Sequence, residues 1–145
     1  MAGFGNSVNG RTSFAGAGLS NTVVGTASGV VVGERHNISA SYSTIAGGQR
    51  NSIEATLSFI GSGADNVVTG PYAAVVGGST NRADADQSFI GGGQTNAIRL
   101  AGSYSFVGAG LANDVSGSNS FVGAGQENTV ERTTAAIVSG YRNLV

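Results

Sequence analysis

The sequence predicts an all-β fold, a parallel β-solenoid of ten coils, each nominally fifteen residues long, filling residues 1–145 as one repeat domain. Three observations predict it. The stretch SFVGAGLANDVSGSN at residues 105–119 is followed at once by SFVGAGQENTV, so the chain repeats itself at a fifteen-residue step. Its 25 glycines fall at fixed offsets among β-branched residues, with a single proline, which is a pattern of order rather than low complexity. Each unit divides into halves of seven and eight residues, both written polar, any, aliphatic, any, small. Period-two alternation of this kind is the signature of a strand with one face turned inward.

Counting the opening residue of a unit as position one, full units begin at Phe14, Gly29, Thr44, Phe59, Ala74, Phe89, Phe106 and Phe121. A partial unit precedes them and another starts at Ala136; the unit from Phe89 has seventeen residues. The first strand takes Ser at position fifteen in seven of nine units and Val or Ile at position two in eight of nine, with positions fifteen, two and four expected to point inward. Position five is Gly in all ten units, from Gly3 to Gly140, which implies a corner with positive φ or a close backbone approach. The second strand opens at position eight with an internal ladder of Asn21, His36, Asn51, Asn66, Asn81, Asn96, Asn113 and Asn128. Val or Ile follows two residues later, except at Ala83. Stacked at about 4.8 Å per coil, ten coils make a rod roughly 45 Å long. Buried Asn side chains bonding from coil to coil would satisfy groups that otherwise cost about 1–3 kcal/mol each. A helical reading fails, because glycine every few residues costs about 1 kcal/mol apiece in a helix.

The outward positions of the first strand form an apolar stripe. Phe14, Phe59, Phe89, Phe106 and Phe121 stand at position one, and Val31, Val76 and Val138 at position three. Such a stripe marks an interface, unless the rings only fold over neighbouring glycines. Two aliphatics per coil are a thin core for a monomer, so these eight residues are expected to form a self-interface, with three copies around the Phe stripe. The second strand turns polar or charged residues outward, among them Glu54, Arg82, Asp84, Arg99, Asp114 and Glu131. The two extra residues of the long unit make a bulge, and Arg99, Leu100, Ser103 and Tyr104 are its candidate binding residues.

Several chemistries lack their residues. A net charge of −1 and seven scattered Arg with no Lys argue against a nucleic-acid partner. There is no Cys for a thiolate or disulfide framework. No apolar run reaches the roughly 18 residues of a membrane span. The Gly-rich stretches GAGLSN and GGGQTN lack the Gly-Lys-Ser/Thr of a phosphate loop. Asp84 and Asp86 are too few for a calcium site. His36, the single histidine, reads as a ladder residue rather than a catalytic base. No metal, cofactor, enzymatic activity or membrane insertion is expected.

The Ser-x-Ile/Val-x-Gly rhythm with an outward apolar stripe resembles the head repeats of trimeric autotransporter adhesins, and repeats of the form SFIGGGQTN resemble those of phage and other viral tail fibres. The resemblance implies a left-handed β-roll in a homotrimer, as a segment of a longer fibre or head at a virion surface or bacterial cell surface. It implies a cell-surface glycan or protein receptor as partner. The half-motif in SNTVVG and ANDVSG is similar to the repeats of grass ice-binding proteins, and stacking into a filament is a further alternative.

Overall fold

In a computed structural model, which describes residues 3–145, the chain is a parallel β-solenoid with no helix among the described residues. Eighteen two-residue strands, from β1 (Ser7–Val8) to β18 (Ala136–Ile137), form two nine-stranded sheets. Odd-numbered strands carry the Asn side of each unit and even-numbered strands the Ser side. Every pairing is parallel, and outside the long unit the register is fifteen residues, as in Ala74↔Phe59 and Arg82↔Val67. Across the long unit the register becomes Phe89↔Phe106 and Ala97↔Asp114, so the extra residues leave both sheets undisturbed.

Nine coils rather than ten result. The opening partial unit contributes one strand, and the closing one adds β18 and two isolated bridges, Gln126↔Tyr141 and Thr129↔Leu144, so the two fragments do not each complete a coil. A third ladder of single bridges lines position six, from Phe4↔Leu19 to Gln126↔Tyr141.

The core is a double file of aliphatics. Val30, Ile45, Ile60, Val75 and Ile90 on the Ser side meet Val23, Ile38, Ile53, Val68 and Ile98 on the Asn side, all fully buried. In most coils position twelve joins them as Ala55, Ala85 or a glycine such as Gly70. Position four does not point inward as the alternation suggested: Val32 is 49% exposed. Successive N–H groups at positions three and four both reach the next coil, Gly16 to Val30 (2.9 Å) and Ala17 to Val31 (3.1 Å), which ends the alternation just before the glycine corner.

The corners are built by more than glycine. Position five has positive φ throughout, for example +95° at Gly63 and +85° at Gly78. The other two corners lie at positions seven and fourteen, where eighteen non-glycine residues adopt φ between 51° and 60°. In that left-handed conformation two consecutive N–H groups swing toward the preceding coil. The first finds a carbonyl, as Arg50 finds Glu34 (2.8 Å) and Leu57 finds Ser41 (3.2 Å). The second finds a side chain, and this explains Asn and Ser at positions eight and fifteen. The N–H of Asn66 donates to Asn51 Oδ1 (2.9 Å), and that of Ser58 to Ser43 Oγ (3.2 Å). Each side chain then donates onward to a carbonyl of the next coil, Asn51 Nδ2 to Gly63 (3.0 Å) and Ser43 Oγ to Ala55 (2.9 Å).

The Asn ladder also has direct side-chain links, Asn81 Nδ2 to Asn66 Oδ1 (3.2 Å) among them. The Ser ladder has none. It runs from Ser13 to Ser58 and resumes from Ser105 to Ala135. Between them Ala73 has no hydroxyl, and Ser88 turns its own to Ala85 in the same coil (2.7 Å).

Candidate interaction surface

On the outside of the Ser-side sheet, Phe14, Phe59, Phe89, Phe106 and Phe121 are between 36% and 49% exposed. Phe89, Phe106 and Phe121 occupy successive coils and stack, with ring centroids 5.1 and 5.3 Å apart and planes within 9°. Offset stacks of this kind add about 0.5–1.5 kcal/mol per pair to area burial. Phe59 stands between Thr44 and Ala74, and Phe14 lies over Gly29, where an added Cβ would come within 2.2 Å of the ring.

Positions one and three compensate each other. Where position one is Phe59, Phe89, Phe106 or Phe121, position three is a glycine; a Cβ there would meet the next coil's carbonyl oxygen at 2.2–2.3 Å and would lie against the same ring at 3.2–3.6 Å. Where position one is Gly29, Ala74 or Ala136, position three is Val31, Val76 or Val138. Most coils thus carry one bulky apolar group, and the face is levelled along the rod. Val31, Val76 and Val138 are all exposed.

The bulge is a tied-down turn. The N–H of Gly102 closes it onto Arg99 C=O (2.7 Å), and Ser118 Oγ donates to Ala101 C=O (2.7 Å). Its four candidate residues differ in availability. Leu100 is 78% exposed and Tyr104 is exposed at the corner, whereas Ser103 is half-buried. Arg99 is engaged with Asp114 of the next coil, its Nε 2.8 Å from Oδ1. Four other Arg also hold a carboxylate: Arg35 with Glu34, Arg50 with Asp65, Arg82 with Asp84 and Arg142 with Glu127. Hydrogen bonding from Arg50 holds the Asp65 carboxyl below its usual range, and Arg142 does the same for Glu127. Both pairs are exposed and contribute little to stability.

His36 replaces Asn in the ladder and does half its work. Its N–H donates to Asn21 Oδ1 (2.9 Å), and its Nδ1 accepts from the N–H of Asn51 (3.1 Å), which requires a neutral ring protonated at Nε2. Nε2 is covered and makes no well-formed hydrogen bond, although interaction with the Gly48 and Val32 backbone partly offsets its burial. Burial pushes the imidazole pKa below its ordinary 6.5. The unfolded chain therefore takes up a proton as pH falls below about 6.5 while the folded chain resists it, so this group's contribution to stability is lost on acidification. His36→Asn is expected to raise the melting temperature and to flatten its fall between about pH 6.5 and 5 relative to wild type. Thermal melts of both proteins across that range check this; parallel curves would contradict it.

No known protein family matches the chain, and no curated protein matches it. Among the described residues no group of three His, Cys, Asp or Glu could hold a metal ion, and there is no enclosed pocket. What surface the rod offers is on its faces and edges. One edge is not legible as a surface in the sequence, where its tyrosines only lack the companion acids of a catalytic groove: the corner at position fourteen, where Tyr42, Leu57, Tyr72, Gln87 and Tyr104 follow one another on five coils. The signal was present as three Tyr at the same position, but without the corner geometry their exposure could not be inferred.

Proposed function

We propose that the chain is a structural and adhesive, non-catalytic β-solenoid module of a viral, phage-type fibre or a bacterial surface adhesin. It self-associates through the Phe face, as a homotrimer with that face on the axis, and holds a receptor-binding surface away from the particle. The observation that carries this reading is the levelled apolar face with the Phe89, Phe106 and Phe121 stack. A continuous exposed apolar surface on a rod with a core two aliphatics wide is best accounted for by a second copy of the same surface. The resemblance of the repeat to adhesin heads and tail fibres supports the setting.

Light scattering on the wild type and on a Phe89→Ser, Phe106→Ser variant tests it. A trimer that falls to monomer in the variant is the expected result. A wild-type monomer would overturn self-association, and a species that grows with concentration would replace the trimer with a filament.

A further inference from the structure

The corner at position fourteen forces the left-handed conformation on whatever residue stands there, and bulky side chains tolerate it poorly. Asn119, a residue type that adopts it readily, occurs there once, yet Tyr42, Tyr72 and Tyr104 hold φ of 58°, 57° and 60°. All three rings are more than half exposed. Their backbones are pinned in one row, each N–H donating to the preceding coil: Tyr42 to Thr26 (2.8 Å), Tyr72 to Thr56 (3.1 Å) and Tyr104 to Asp86 (3.0 Å). Consecutive tyrosines are two coils apart, a rise of about 9.6 Å along a straight edge. The bulge at residues 99–102 lies in the coil that carries Tyr104 and does not displace it from the row. Between the tyrosines stand Leu57 and Gln87, and Gln87 Nε2 donates to the Tyr104 hydroxyl (3.3 Å).

We propose that this edge binds an extended, uncharged β-1,4-linked glycan lying along the rod. The ligand must be straight and must present an apolar patch once every two coils. In a β-1,4-linked pyranose chain successive rings are flipped, so every second ring turns the same C–H face outward, and the disaccharide repeat matches the two-coil rise. Those faces stack on the three phenol rings. The equatorial hydroxyls project sideways to the neighbouring position thirteen, occupied by Ser41, Thr56, Pro71, Asp86 and Ser103. No cation stands among those five residues, the row's Arg11 lying two coils before Ser41, which disfavours an acidic polysaccharide. An α-1,4-linked chain coils and cannot follow a straight edge. The inference deepens the adhesive reading by giving the receptor a chemical class, and rests on it only for the expectation that the rod presents a surface.

The test uses intrinsic tyrosine fluorescence, because the chain has no Trp and three of its four Tyr lie on the edge. Wild type, Tyr72→Leu and Tyr141→Leu are titrated with cellohexaose, chitohexaose and maltohexaose. Leu57 already occupies the same corner, so Tyr72→Leu is expected to fold, and an unchanged circular dichroism melt checks it. The expected result is saturable binding of cellohexaose or chitohexaose, weakened about tenfold or more by Tyr72→Leu and untouched by Tyr141→Leu, with no binding of maltohexaose. Which of the two β-linked sugars binds tells a plain hydroxyl surface from an acetamido one. Absence of binding to both, equal binding of maltohexaose, or a Tyr72→Leu variant as tight as wild type would overturn the proposal. A wild-type monomer that binds the glycan would fail the self-association reading alone, and an intact oligomer that binds none would fail this one alone.

Discussion

Gly78→Ala is expected to cost about 3–5 kcal/mol, enough to unfold many domains. Two separate effects combine. Gly78 has φ of +85°, where a residue with a Cβ is strained by about 1–3 kcal/mol. The new methyl would also lie 2.0 Å from the carbonyl oxygen of Gly93, 2.7 Å from Asn81 Nδ2 and 2.8 Å from the Gly93 nitrogen. Two of those atoms are backbone of the adjacent coil, held by the ladder bonds on either side, so they cannot retreat without opening the sheets. Gly92→Ala is the matched control: an added Cβ there meets nothing within 4 Å and its φ lies outside the left-handed region. It is expected to be neutral, or stabilising by up to about 1 kcal/mol. Urea denaturation followed by circular dichroism measures both, and a Gly78→Ala protein within about 1 kcal/mol of wild type would sink the close-approach account.

The second large effect is expected at Asn81. Its Oδ1 accepts from the N–H (3.0 Å) and Nδ2 (3.1 Å) of Asn96, while its own Nδ2 donates to Gly93 C=O (3.0 Å) and Gly77 C=O (3.1 Å). Asn81→Ala strips the acceptor from the Asn96 backbone N–H, which the left-handed Thr95 has already turned away from the regular ladder. A buried donor left without a partner costs about 1–3 kcal/mol, and the void adds to it, so the expected loss is about 3 kcal/mol. Asn81→Asp separates the two halves of the side chain's role. It keeps an acceptor for Asn96 but aims a carboxylate oxygen at two carbonyls, so it is expected to be as damaging as alanine at neutral pH and to recover partly when acid protonates it. If Asn81→Ala unfolds at the wild-type urea midpoint, the ladder is decoration and the corners are held by something else.

The repeat, the two sheets, the inward aliphatics and the glycine at position five were all legible in the sequence, because each is enforced at every coil by sterics that only a few residue types satisfy. The corners at positions seven and fourteen were not. Ser20, Arg35, Asp65, Tyr72 and Leu57 share a backbone conformation but no side-chain property, since the fold sets their φ and leaves the side chain at the surface. The inward reading of position four failed for a related reason: alternation was extended one residue into a corner. On the surface, the Phe stripe was legible as a composition, but the compensation between Phe89 and Gly91, or Ala74 and Val76, is apparent only once the packing is known. The coil count exceeded the structure by one because a partial repeat is easily recognised in sequence yet cannot close a turn.

The gap in the Ser ladder at Ala73 has a mechanical meaning. The same stretch holds Ala83, which stands where other coils place Val or Ile. Each coil touches only its two neighbours, so the rod behaves as a one-dimensional chain of couplings, and its cooperativity is set by the weakest junction. One shortened core side chain and a missing hydroxyl bridge make the middle of this rod that junction. Pulled or heated, the protein is expected to give way first at that junction, where the Asn ladder alone runs on, leaving the Phe89, Phe106 and Phe121 stack whole on one side.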